Sequence, residues 1–497
     1  MNLLERPSWQ LAILSGVLVG ISYLPIKFGF CIYFGFVPIL HSWIINNSKS
    51  NFISGFIFGI IYNIISNYWI GTNSGAEFYV VMMSLIFAVV YLSLFWAFFG
   101  YIYGLIKTSR NAYLILPFLI VVLEWVRSFG PLGFTWGNLA LTQSEYPFML
   151  QFLDFTGTYF LTFIIIALNL IFYLYVNGNK FLKLNIRLII FILITIPIFG
   201  FYRMGNISPI SKSIDIAIIQ PNIDPNKKWD YNLRKQTITF MDSLYQDAIN
   251  MNPDLIIFPE TALPSYLRIE NRVREKLQRK VNQSGIPIII GTVDREIDSN
   301  GIKSYFNSTM YLSPQKDYLM YDKIHLVPFA EYDLIPNFFS PLAKLNLNMN
   351  RGIFKKGNNY VNFRLNDIVF SDLICYESSF PRYARKFVEN GADFLIIQAN
   401  DGWLGTSAGP FQHFAQAQLR AIENRTPIVR GGNTGISGFI SPNGKVITKT
   451  SLGKQVIIKE SLPIYNAGTF YTFYGDVFAA ISFVIFLFIG PVNCLKK

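Results

Sequence analysis

Long apolar runs fill both ends of the chain, and a middle region follows shorter periods. Apolar stretches of bilayer-spanning length, about 17–25 residues, begin near residues 9, 28, 52, 78, 112, 158 and 185, and an eighth runs from about 473 to 493. They predict a polytopic bundle of eight transmembrane helices, seven in residues 1–205 and one in residues 471–497. Only Glu5 and Arg6 precede the first run and no small-residue cleavage site follows it, so a retained helix is expected rather than a removed signal. The first run is short and the fifth carries Pro117, which leaves their ends uncertain by a few residues.

From residue 214 short β-branched runs alternate with amphipathic stretches. Ile214 to Gln220, Leu255 to Phe258, Pro287 to Gly291, Ile368 to Cys375, Phe394 to Ala399 and Ile428 to Gly431 read as buried strands. Arg234 to Asn250, Asn271 to Gln283 and Phe411 to Glu423 read as helices between them. This pattern predicts an α/β domain over residues 206–470. Asn300-Gly301 and Asn443-Gly444 predict hairpins at its periphery.

Charge sharpens the division. The chain of 497 residues is 52% hydrophobic and only 14% charged, against about a quarter charged in soluble domains. Residues 1–205 hold 15 charged side chains, residues 206–476 hold 55 and the last 21 hold 2. The middle carries 30 basic and 25 acidic residues, too balanced for a nucleic-acid binder. Alternate short loops collect Arg6, Lys49, Lys107, Arg110, Lys180, Lys183, Arg187, Lys496 and Lys497, while the others hold little beyond Lys27 and Arg127. Because basic loops stay cytoplasmic, both termini are expected inside, and seven crossings put the middle domain on the extracytoplasmic face. No phosphate loop or dinucleotide fingerprint is present. Of three cysteines, only Cys375 lies in the polar middle, so no disulfide framework serves that domain.

Three reactive residues follow predicted strands, where α/β sheets commonly place chemistry. Glu260 ends Leu-Ile-Ile-Phe-Pro-Glu; a carboxylate there suits general-base work, although acids also favour a helix N-terminus. Lys323, in Tyr-Asp-Lys-Ile-His, alone would read as a surface ion pair with Asp322. Cys375, in Leu-Ile-Cys-Tyr-Glu, alone would read as a small core hydrophobe. Within the bundle, Glu124 and Arg127 precede the aromatic, Gly-rich stretch Gly130 to Tyr146. They either staple a re-entrant loop or meet a lipid headgroup or acyl chain.

Taken in chain order, Glu260, Lys323 and Cys375 with their flanks resemble the nitrilase, or carbon-nitrogen hydrolase, superfamily. Membrane spans on both sides narrow the resemblance to the apolipoprotein N-acyltransferase family. The matching segments include Gln220-Pro-Asn-Ile, Trp229, Phe258-Pro-Glu-Thr, Lys323-Ile-His-Leu-Val-Pro-Phe, Glu331-Tyr, Cys375-Tyr-Glu, Asn400-Asp-Gly-Trp-Leu-Gly, Gln412-His-Phe, Arg420-Ala-Ile-Glu and Asn433-Thr-Gly-Ile-Ser, with Glu124-Trp-Val-Arg-Ser and Trp136-Gly-Asn-Leu in the bundle. Ala330 departs from a glycine expected in many relatives. The resemblance implies an α-β-β-α sandwich and a Glu-Lys-Cys triad. It implies acyl transfer from a phospholipid donor, through a Cys375 thioester, to the α-amine of a lipoprotein's N-terminal diacylglyceryl-cysteine. It implies no organic cofactor and no metal, a bacterial inner-membrane location and a monomer.

In that reading Glu260 is the base, while Lys323 and the Tyr376 N–H stabilise the oxyanion. Glu377 orients Lys323 or the Cys375 loop, and Glu331 supports the thioester steps. His325 and His413 suggest a Cys-His pair only weakly, having no flanking carboxylate motif. The apolar stretch Val327 to Asn348 is expected to be a mobile arm touching the bilayer, with Trp229, Tyr376 and Trp403 along the acyl path. The rival reading is a membrane-tethered amidase or nitrilase that passes its acyl group to water.

Overall fold

A computed structural model describes residues 5–107, 112–178, 182–297, 301–332 and 354–494. The chain forms two compact units: one of residues 1–72, 81–207 and 474–497, the other of residues 73–80 and 208–473.

The first unit is helical. Among the described residues, three helices are long and apolar enough to cross a membrane: Ser48–Thr72, Phe78–Ile106 and Thr158–Val176. Shorter apolar helices occupy Ser8–Ile21, Gly29–Ile45 and Val477–Phe488. Helices Leu116–Arg127 and Leu182–Gly205 stand at two further expected positions. Pro117 sits in the first turn of its helix, where a missing N–H costs nothing.

The second unit is an α/β domain with two six-stranded sheets. The first sheet contains β1 (Ser213–Gln220), β2 (Leu255–Ile257), β3 (Ile288–Ile297), β4 (Lys303–Leu312), β5 (Leu319–Asp322) and β12 (Val456–Pro463), in the order β12-β1-β2-β3-β4-β5. The second contains β6 (Phe363–Leu365), β7 (Ile368–Ile374), β8 (Phe394–Ala399), β9 (Ile428–Gly432), β10 (Gly438–Ile440) and β11 (Val446–Lys449), in the order β11-β10-β9-β8-β7-β6. Each sheet has three parallel strands, β1-β2-β3 and β7-β8-β9, flanked by antiparallel ones. Ile216, Ile218 and Ile257 of the first sheet share one core with Phe370, Phe394 and Ile396 of the second. Ala217, Ile219 and Ile256 face the other way, onto helices Tyr231–Asn250 and Asn271–Ser284. Alternate residues of β1 thus serve opposite faces, and burial on both explains its nearly continuous apolar run.

All six strands and three helices expected from periodicity are present, within three residues of their predicted ends except β3, which runs on to Ile297 where Gly291 was the expected end. Strands β4, β10 and β11 are expected only as arms of the two hairpins, and strands β5, β6 and β12 and helix Pro381–Glu389 have no counterpart in the sequence reading. β4 buries Asn307, Ser308 and Thr309, on alternate faces, so a strand inside the sheet has a polar centre in place of an apolar run. Gly301 and Gly444 have φ of 79° and 80°, and Gly444 turns the β10–β11 hairpin at a sheet edge. The β3–β4 hairpin departs from expectation: β5 is the edge strand, and β4 lies inside the sheet. Most of the expected Val327 to Asn348 arm, residues 333–348, lies outside the described residues.

Candidate active site

Glu260 follows β2, where Pro259 lacks the N–H needed to continue a ladder. Thr261 then takes a left-handed φ of 46°, and the Ala262 N–H returns to the Gly291 carbonyl at 2.8 Å. Gly291 is required here. A Cβ on it would stand 2.6 Å from both Glu260 Cα and Thr261 N, so only glycine lets β3 pass beneath the turn. The buried Glu260 carboxylate accepts a 2.8 Å hydrogen bond from Asn307 Nδ2. The same amide donates to Glu331 Oε1, also at 2.8 Å. Asn307, on β4, is a site residue that sequence periodicity missed; its place in a polar stretch between aromatic residues gave no signal.

Lys323 leaves the end of β5 and is 1% exposed. Its ammonium lies 2.9 Å from Glu331 Oε2 and 3.8 Å from Glu260 Oε1. The surface-pair reading with Asp322 is therefore wrong, since Asp322 accepts from Ser308 at 2.5 Å instead. Burial works against the Lys323 charge, but Glu331 and then Glu260 outweigh it and hold its pKa above the ordinary lysine value. Glu331 also accepts the Val327 N–H at 2.8 Å, closing the loop around the ammonium. Phe329, inside that loop, has a left-handed φ of 63°.

Cys375 directly follows β7 with a φ of 52°, a conformation costing a non-glycine residue about 1–3 kcal/mol. The half-buried thiol is not core filling, and it lies within electrostatic reach of Glu260 and Lys323. Burial, reinforced by Glu260, pushes its pKa well above the ordinary value, and the opposing pull of Lys323 does not prevail. Ionisation by the ammonium alone is thus insufficient.

Glu377 connects these pieces. Its fully buried carboxylate accepts from Ile324 N at 2.9 Å, His325 N at 3.2 Å, Ile374 N at 3.1 Å and Tyr321 Oη at 2.7 Å. Behind Cys375, Ser378 Oγ donates to the Cys375 carbonyl at 2.7 Å, and His413 Nε2 lies 3.2 Å from the same oxygen. His413 does have a carboxylate partner, contrary to expectation: Asp401 Oδ1 is 2.7 Å from its Nδ1. Twelve residues separate the two in sequence, and the fold joins them. Burial opposes the Asp401 charge, but Arg430, 2.7 Å away, and His413 hold that carboxyl well below the usual range. The imidazole faces the Cys375 backbone, so it supports the turn. His325 packs on Phe380 with centroids 4.0 Å apart, and burial draws its pKa down to about 3, leaving it neutral.

Trp229 is 43% exposed beside Tyr266. Trp403 is half-buried, its carbonyl accepting the Ser74 N–H at 2.8 Å. Tyr376 turns its ring inward against His325 and Phe380. Glu124 and Arg127 belong to the helical unit and are buried there. Glu124 accepts from Leu139 N at 2.8 Å, and Arg127 donates to the Gly137 carbonyl at 2.9 Å. These contacts fit a pair that staples the stretch after its helix.

Comparison with known proteins decides among the chemistries such a cluster could perform. The carbon-nitrogen hydrolase profile matches residues 215–461, and the apolipoprotein N-acyltransferase N-terminal domain profile matches residues 15–171. The apolipoprotein N-acyltransferase of Geobacter metallireducens is 31% identical over 96% of this chain and 93% of its own length. This chain belongs to the apolipoprotein N-acyltransferase family. The Chlorobaculum tepidum member is 29% identical over 100% of this chain and 98% of its own length. Among solved structures, Saccharomyces cerevisiae Nit3, of the nitrilase superfamily, overlaps 52% of this chain and 91% of its own at a TM-score of 0.39 and 17% identity. Family membership makes the chain an acyltransferase, and the membrane-tethered hydrolase is the weaker reading.

Proposed function

We propose that the chain N-acylates the α-amine of the N-terminal diacylglyceryl-cysteine of lipoproteins, taking the acyl group from a phospholipid. The observation that carries this is the convergence of Glu260, Lys323 and Cys375 in one cluster, within a chain whose relatives are N-acyltransferases. In the first half-reaction the Cys375 sulfur attacks the ester carbonyl carbon while Glu260 takes the thiol proton. The carbonyl oxygen gains negative charge, offset by Lys323 and the Tyr376 N–H. Collapse expels the lysophospholipid alkoxide, which Glu260 protonates, and leaves a thioester. In the second half, the uncharged α-amine attacks that carbonyl, Glu260 removes its extra proton, and the amide forms as Cys375 regains its hydrogen.

Both substrates are lipids, so the domain is placed against a bilayer, on the extracytoplasmic face of a multi-pass bacterial inner-membrane protein. The apolar helices and the basic loops support eight crossings with both termini inside. Exposed Trp229 and half-buried Trp403 offer apolar surface for acyl chains. Glu124 and Arg127 are assigned to shaping the bundle, and the enzyme acts as a monomer without a cofactor.

The test is intact-mass analysis of the enzyme incubated with phospholipid vesicles. Acyl-Cys375 should accumulate with about one equivalent of lysophospholipid. A diacylated lipopeptide with a free amine should discharge it, and its N-acetylated form should not. Steady release of fatty acid without an amine acceptor would instead establish a hydrolase.

A further inference from the structure

Lys228 and Trp229 have exchanged the places their polarity predicts. Lys228 is 2% exposed and Trp229 is 43% exposed. The Lys228 ammonium donates to the Thr261 carbonyl at 2.8 Å and lies 3.4 Å from Thr261 Oγ1. Among the described residues it has no carboxylate within 4.0 Å, and burying such a cation unpaired is costly. Its two partner atoms both belong to the residue after Glu260, at a left-handed turn. Glu260 is also the carboxylate whose charge it feels: burial draws Lys228 down to about 8, and Glu260 pulls the other way. The other groups around Glu260 are known. Lys323 approaches from the end of β5, Glu331 shares the Asn307 amide, and Cys375 and Asp372 act on it from β7.

We propose that Lys228 is a positioning residue for the proton acceptor. It holds the Glu260–Thr261 turn by the Thr261 carbonyl and sets a second positive charge, besides Lys323, at the turn that carries Glu260. The proposal rests on the reading of Glu260 as the base. Backbone anchoring alone would make Lys228 a structural residue, indifferent to the ionisation of Glu260. The two roles differ in how acylation depends on pH.

The experiment follows acyl-Cys375 formation by the full-length enzyme on phosphatidylethanolamine vesicles from about pH 5 to 9, for wild type, Lys228→Met and Glu260→Gln. Loss of the Lys228 charge should move the acid limb of Lys228→Met upward by about half a pH unit or more, roughly a threefold rise in proton affinity. An unmoved limb, whatever the rate, overturns the proposal. Should Lys228→Met fail to accumulate, Lys228→Arg replaces it; a retained charge should leave the limb in place while a bulkier head slows the reaction, and a displaced limb overturns the proposal. Glu260→Gln separates the two levels. If it still forms the thioester, the reading of Glu260 falls and Lys228 with it; if it is inert while Lys228→Met is unshifted, only the role of Lys228 falls.

Discussion

The Glu377 carboxylate accepts the backbone N–H of Ile324 at 2.9 Å, so the loop carrying Lys323 is tied to the turn carrying Cys375. The same carboxylate holds Ile374, just before the thiol. Thiol and ammonium therefore share one buried anchor, although they lie 52 positions apart in sequence.

Glu377→Gln should uncouple them. An amide presents one acceptor oxygen where the carboxylate serves four donors, and hydrogen bonds to a charged group contribute about 1.5–3 kcal/mol each. Losing two predicts a fall of at least 100-fold in acyl-Cys375 formation. Single-turnover mass spectrometry reads the rate. Near-wild-type acylation would remove Glu377 from its positioning role.

Asn307 keeps two carboxylates beside one ammonium by donating to both. Asn307→Asp replaces that donor with a third negative charge, so acylation at neutral pH should drop by about 10- to 100-fold. Lowering the pH protonates the new carboxyl and restores one donor. Partial recovery at acid pH, absent in Asn307→Ala, is the expected signature; identical pH profiles for the two variants would contradict it.

Asp372 lies buried between the sheets, accepting from Thr309 Oγ1. Burial, the largest influence, pushes its carboxyl up to about 8, against about 3.9 in an unfolded chain. The folded state therefore binds the proton more tightly. Its contribution to stability is fully present below about pH 4 and is lost as pH rises through about 8. Asp372→Asn should flatten the decline in thermal stability of the detergent-solubilised protein over that window, with its largest relative gain near pH 8. Parallel curves for variant and wild type would disprove the linkage.

Topology can be tested without enzymology. A reporter fused after residue 205 should be active only outside the cytoplasm, and one fused at Lys497 only inside, because short basic loops are retained inside. The opposite pattern would overturn the orientation.

Sequence alone was enough for the parallel strands, the long apolar helices and the positions of Glu260 and Cys375 at the ends of their strands. Burial on two faces makes β1, β2 and β8 nearly continuous apolar runs, a signal contained within each segment. What surrounds the three residues was decided only by tertiary structure. Asn307 enters at the polar centre of its strand, and Asp401 meets His413 only because the turn after β8 packs against helix Ala408–Asn424. Lys323 chooses Glu331 over adjacent Asp322, and Lys228 turns inward beside Trp229. Such partnerships depend on strand order, register and the path of each turn. The stabilisation of a buried charge comes from whichever groups the fold places nearby, and no local period in the sequence encodes them.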